Sequence, residues 1–253
     1  MAKIPVALQL YTVRDQTAID FPGTVRKVAK MGYAGVELAG TGGMSAEALR
    51  DLLKETNLQA AGTHIGIEAL QNDIDKVIAD NKTIGNKFVG VPGLPKELCS
   101  DPAGWRQAAA LFNQYGAQLK AEGITLYYHN HYHEFDLMDG ERGMDILLAE
   151  TDPAVMAFEC DVYWAVYGGQ DPVQLINAYA GRFPLIHLKD MSGKGANRTF
   201  VEIGEGHIPF QPIFEAAENQ GAQWYIVEQD TCARPSLESA ALSLRNLKKW
   251  RKA

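Results

Sequence analysis

The sequence predicts a single (β/α)8 barrel, and three observations carry that prediction. Short apolar strand patterns alternate with helical periodicities along all 253 residues, no linker or low-complexity segment interrupts them, and acidic and imidazole side chains recur where the strands end. An open doubly wound sheet would share the alternation, but no Gly-x-Gly-x-x-Gly follows the first strand. One domain is therefore expected over residues 1–253.

Residues 6–11 read as the first strand, and Phe21, Val25 and Val28 share one face of the helix after it. Residues 35–38 form the second strand, and Ser45 can cap a helix carrying Ala48, Leu49, Leu52 and Leu53. Residues 59–64 follow as the third, with Asn57 stopping the preceding helix and Ile74, Val77 and Ile78 marking the next. After the fourth strand, 87–91, the clearest helix opens on Asp101-Pro102. It repeats Trp105, Ala108, Phe112, Tyr115 and Leu119 at three and four residues and ends at Gly123.

The fifth strand opens the stretch 126–136, which holds three of the six histidines. Residues 143–150 are helical, 156–161 form the sixth strand, and Asp171-Pro172 starts a helix with Leu175 and Ile176. The seventh strand, 184–189, leads into a polar excursion through Ser192, Gly193, Gly195 and Asn197. Helix 210–219, strand 224–229 and a helix with Leu237, Ala240, Leu244 and Leu247 complete the eighth unit.

Composition narrows the function. With 31 acidic against 24 basic residues the net charge is −7, which argues against a nucleic-acid partner because phosphate contacts need clustered Lys and Arg. The apolar start is too short for a signal peptide, and no stretch approaches the roughly 20 apolar residues that cross a bilayer. A cytoplasmic protein with no membrane partner is expected; a homo-oligomer is compatible with the sequence. Cys99, Cys160 and Cys232 are odd in number and far apart, as reduced packing thiols would be.

In a barrel the active site lies at the C-terminal ends of the strands. Glu37, His64, His129, His131, Glu134, Glu159, Asp161, His187, Lys189 and Glu228 all fall there. So many buried charges need compensation, and a divalent cation supplies it. Glu134, Asp161, His187 and Glu228 come from four consecutive strands and are the expected ligands of one such ion, Mn²⁺ or Mg²⁺ first, with Co²⁺ or Zn²⁺ as alternatives. Alternation places His187 with Lys189, His129 with His131, and Glu159 with Asp161 on shared faces. Lys189 beside a metal is expected to have a depressed pKa suited to acid–base work. Glu159 is expected to support a ligand or to pair with an arginine. Trp164 and Tyr163 can wall a sugar ring, His64, His129 and Glu37 can contact substrate, and Arg14 can grip a substrate oxygen or phosphate. Gly204-Glu205-Gly206 reads as a turn rather than a phosphate cradle, because it lacks the lysine and hydroxyl of a P-loop.

The segments Leu8 to Asp15, Tyr128 to Phe135, His187-Leu188-Lys189-Asp190 and Val227-Glu228-Gln229-Asp230 resemble the sugar phosphate isomerase/epimerase family of xylose-isomerase-like TIM barrels. The likeness spans nearly the whole chain. It implies a divalent metal on Glu134, Asp161, His187 and Glu228 and proton transfer next to a ketone or aldehyde. One departure stands out: several members carry a glutamate within the fifth strand where this chain has His129 or His131, so His131 competes with Glu134.

The expected activity is therefore a metal-dependent isomerase or epimerase of a sugar or sugar phosphate, with Glu134, Glu228, Lys189 and His131 as the acid–base groups. Expulsion of a β-hydroxyl instead would make it a lyase acting on a keto-sugar or inosose. A non-catalytic sugar-binding barrel and a nuclease like endonuclease IV are the remaining readings, the last disfavoured by the net acidity.

Overall fold

Eight parallel strands close on themselves in a computed structural model that describes residues 3–253. Met1 and Ala2, the first residues of the apolar start, lie outside the described residues. The strands are β1 (Val6–Gln9), β2 (Gly35–Ala39), β3 (Gln59–His64), β4 (Phe88–Val91), β5 (Thr125–His129), β6 (Met156–Asp161), β7 (Leu185–Leu188) and β8 (Trp224–Val227). Each pairs with its sequence neighbours and β8 pairs with β1, giving the (β/α)8 barrel that the alternation predicts.

Helix boundaries follow the local chemistry. Asp20, Ser45, Asp101 and Asp171 each accept a backbone N–H from the first turn of the helix they precede, which satisfies donors that a helix leaves unpaired. Asn57 ends the helix before β3 in the left-handed region, at φ 54°. Among the described residues no helix is long and apolar enough to cross a membrane. The three cysteines are unpaired, and only Cys160 is fully buried.

Two layers of core result from strand alternation. Outward-facing residues such as Leu8, Val36, Tyr128, Phe158 and Ile186 pack under the helices. Inward-facing Ala7, Ala61, Phe88, Ala157, Leu185, Trp224 and Ile226 form a dry floor with Tyr127. Tyr127 crosses the barrel only because two inward positions lack a side chain. A Cβ on Gly90 would stand 2.2 Å from its ring, and one on Gly62 2.6 Å from its hydroxyl. The register between β2 and β3 slips after Val36, so that Glu37 lies opposite Gly62 and Ala39 opposite His64. The extra residue, Ala61, lies in β3, so the bulge shifts Gly62 and His64 relative to the first residues of that strand.

Two expectations need adjustment. The first strand stops at Gln9 rather than residue 11, because the Gln9 side chain accepts the Tyr11 N–H and Leu10–Val13 turns into a 3-10 helix. The polar excursion after β7 contains a small antiparallel hairpin, Asp190–Ser192 against Thr199–Val201. Gly204-Glu205-Gly206 is a turn, as expected, and it does cradle an anion of the chain's own. The Asp190 carboxylate accepts the N–H groups of Met191, Gly204, Gly206 and Ile208 at 2.8 to 3.2 Å.

Candidate active site at the barrel mouth

Above the floor, the strand ends bring polar groups together in two tiers that share His187. The lower tier is Glu37, His64, Glu159 and His187; the upper is His129, Asp161, His187 and Glu228. Within each, one donor atom per residue lies within 4.8 Å of all the others. Over the upper tier a cavity of about 420 Å³ is lined by Tyr11, His64, His129, His131, Glu228 and Asp230, among others. That volume is in the range of small-molecule sites.

The lower tier fixes His187. Glu37 accepts from the Tyr127 hydroxyl on one oxygen, and from Gln9 Nε2 at 2.6 Å and His187 Nε2 at 2.7 Å on the other. The Gln9 amide is itself oriented by the Tyr11 N–H. Burial alone would raise the Glu37 carboxyl, but the His64 and His187 rings bring it down to about 2. An ionised carboxylate only accepts, so His187 Nε2 carries a proton. Glu37 is thereby spent on the protein and sealed beneath the cavity, with no exposed surface; it orients His187 rather than touching a substrate. Glu159 pairs with histidines, not with an arginine: His64 Nε2 stands at 3.0 Å and His187 Nε2 at 3.2 Å. Burial, reinforced by the Glu37 carboxylate, lifts Glu159 to about 7.

With Nε2 committed, His187 Nδ1 faces Glu228 Oε2 at 3.1 Å and Asp161 Oδ2 at 3.6 Å, and it is buried with no hydrogen-bond partner. Three electron-pair donors therefore converge on one point, an arrangement that demands a positive charge. A proton on Nδ1 and the Lys189 ammonium beside Asp161 Oδ2 and Glu228 Oε2 supply it here. Burial opposes the charged ring, yet Glu159 and Glu37 hold it well above the usual histidine range. A divalent ion would replace that proton, with Asp161, His187 and Glu228 as ligands and a carboxylate behind the imidazole, a pattern typical of metal-bound histidine. Asp161 suits the role because its other oxygen caps the helix Val162–Tyr167 through the Trp164 N–H at 2.9 Å. His129, with Nε2 3.1 Å from Asp161 Oδ2, stands beside them, and burial keeps its pKa well below the ordinary value.

The structure does not bring Glu134 into either tier. It is buried six residues past the strand's Tyr128, accepts that hydroxyl at 2.7 Å and the His131 N–H at 3.0 Å, and burial raises its pKa. Its carboxylate closes the turn after β5. His131 lines the cavity instead, its ring centroid 4.8 Å from that of His129 and 5.6 Å from that of Trp164. Burial and the Lys189 ammonium lower it to about 4. Tyr163 is buried against Phe200, ring centroids 4.3 Å apart, and does not wall the cavity.

For Lys189 the expectation concerned a site with a metal beside it; the structure shows the carboxylate side of that balance. Burial does oppose its charge, but Asp161, Glu228 and Asp230 hold the ammonium well above the usual lysine range, at 3.0, 2.6 and 2.9 Å. Arg14 does not reach the cavity; its guanidinium donates to the carbonyls of Tyr11 and Asp230 and lies 4.0 Å over the Tyr11 ring, bracing two loops. One contributor escaped sequence reasoning. Asn130 accepts the Asp161 N–H at 3.0 Å and donates to the Asp161 carbonyl at 3.3 Å, clamping the ends of β5 and β6. Its only sequence signal is its place between two inward histidines.

A profile of the xylose isomerase-like TIM barrel family matches residues 25–250. The chain belongs to that family. An inosose dehydratase of Clostridium perfringens is 26% identical over 162 residues, covering 57% of this chain and 54% of that protein, so the chain spans about half the length of this curated relative. An inosose dehydratase of Geobacillus kaustophilus is 25% identical over 81% of this chain and 78% of that protein. The solved structure of a sugar phosphate isomerase/epimerase from Parabacteroides distasonis superposes with a TM-score of 0.81 at 26% identity, covering 98% of this chain and 94% of that one. Xylose isomerase-like barrels thus include both lyases and isomerases among this chain's relatives, and the choice between them rests on the mouth.

Proposed function

We propose that the protein is a divalent-metal-dependent lyase that removes water from a small, unphosphorylated keto-polyol of the inosose type. The observation that carries this reading is the position of Glu134. An epimerase or isomerase needs acid–base groups on the two faces of the substrate, and the expected pair was Glu134 and Glu228. Glu134 is instead sealed in the turn by Tyr128 and His131. What the mouth offers is unlike groups: a neutral imidazole, His131, which lines the cavity, and an ammonium, Lys189, bound to Glu228 and Asp230 of that lining. Elimination uses one of each. Lys189 is tied to the cavity carboxylates Glu228 and Asp230, and Arg14 is held by two loop carbonyls, which favours an unphosphorylated substrate.

Asp161, His187 and Glu228, with His129 as a fourth donor, would hold the ion; the two imidazoles favour Mn²⁺, Co²⁺ or Zn²⁺ over Mg²⁺. The ion would supply Lewis-acid polarisation of the substrate carbonyl. His131 accepts the proton from the carbon next to that carbonyl, and the C–H electron pair moves toward the carbonyl oxygen. Because His131 is a weak base, the C–H must be acidified first. As the electrons return to form the C=C bond, the β-hydroxyl leaves with a proton from Lys189, as water. A proton passing from His131 to Lys189 restores both groups, and the net change is substrate to conjugated product plus water. Asp230 keeps Lys189 charged for the next turnover.

The test is to incubate Mn²⁺-loaded protein with inososes and open-chain keto-sugars in D₂O. A conjugated, ultraviolet-absorbing product with loss of water is expected. Deuterium entering the recovered substrate without loss of water would instead establish an isomerase or epimerase, the activity named for the Parabacteroides distasonis relative. Replacing His131→Gln should lower kcat by about 10² to 10⁴.

A further inference from the structure

We propose that Lys189 is a tethered cation that a divalent ion must displace, and that the displacement delivers the ammonium to the substrate cavity. The inference rests on the metal reading above and adds to it. The Lys189 Nζ lies 3.0 Å from Asp161 Oδ2 and 2.6 Å from Glu228 Oε2. These are the same two oxygens that face the unpartnered His187 Nδ1. Asp161 has no second oxygen to offer, because Oδ1 is held by the Trp164 N–H. Two cations cannot share these oxygens at such range without strong repulsion, since the site is buried and weakly screened.

The ammonium has a second seat ready. Asp230 Oδ2 already holds it at 2.9 Å, and Nζ lies over the Trp164 ring, 5.7 Å from its centroid. The Asp230 side chain is partly exposed and lines the cavity, so a lysine that keeps Asp230 and releases Asp161 and Glu228 faces the substrate space. Metal loading and positioning of the proton donor then become one event. In the metal-free protein the same lysine neutralises carboxylates that would otherwise repel one another, which lowers metal affinity and protects the fold.

The test compares wild type with Lys189→Met by Mn²⁺ titration and thermal unfolding. Mn²⁺ should bind the variant about 10-fold more tightly or better, by removal of an internal competitor. The metal-free variant should melt lower than wild type and gain more on adding Mn²⁺. Wild type that binds Mn²⁺ no less tightly than a folded variant would overturn the competition while leaving the metal site intact. Failure of both proteins to bind would sink the metal reading as well. Should the variant not fold, crystals of wild type with and without Mn²⁺ decide the matter. Nζ should leave Asp161 and Glu228 and keep Asp230, and retention of all three contacts beside a bound ion contradicts the proposal.

Discussion

Each residue of the mouth is assigned by what its second atom does. Asp161 gives one oxygen to a helix cap and the other to the cluster; His187 gives Nε2 to Glu37 and Nδ1 to the cluster. Replacing Glu37→Gln leaves three donors competing for one oxygen, so His187 loses its orientation, and metal affinity measured by titration should fall about 10- to 100-fold. His131 provides a pH test in chelator-treated protein. Its native pKa, about 4, lies below the roughly 6.5 of an unfolded histidine. The unfolded chain therefore binds more protons between these values, and the His131 contribution is lost as pH falls from about 6.5 through about 4. His131→Asn should flatten the decline of thermal stability in that window, by up to about 1.4 kcal/mol per pH unit. An unchanged slope would show that His131 is not held neutral. Residue type and strand alternation made Asp161, His187 and Glu228 legible as a converging set. Glu134 was not placeable, because it lies beyond the strand, where period 2 no longer says which way a side chain points.

At the scale of elements, the site depends on what the strands leave out as much as on what they carry. Gly62 and Gly90 clear the path along which Tyr127 reaches Glu37, and the lower tier it supports is built from four strands at once, β2, β3, β6 and β7. A methyl group at Gly90 would collide with the ring, and Gly90→Ala should destabilise the protein by about 1 to 3 kcal/mol in denaturant unfolding, and weaken metal binding with it. Eight strands and their helices were readable because burial imposes periods of 2 and 3.6 on the sequence. The hairpin after β7 and the helix Val162–Tyr167 were not readable. Both are short, and both are set by a side chain satisfying backbone donors, Asp190 in one case and Asp161 in the other. The bulge in β3 is equally silent in the sequence, yet it sets Gly62 opposite Glu37 and His64 opposite Ala39.

For the molecule as a whole, the barrel sorts its polar groups by depth. A dry floor supports a tier of hydrogen-bonded carboxylates and imidazoles, and that tier holds His187 so that its free nitrogen meets Asp161 and Glu228 under an open cavity. Part of the acidic excess visible in the composition gathers at this mouth, where Lys189 balances it and where a divalent ion is proposed to bind. The direct test of that claim is the metal content of wild type, Glu134→Gln and His187→Ala after loading with Mn²⁺ and desalting. About one ion per chain is predicted for wild type and for Glu134→Gln, and close to none for His187→Ala, because removing a ligand from a site of this kind abolishes tight binding. Loss of the ion in Glu134→Gln together with its retention in His187→Ala would contradict the account.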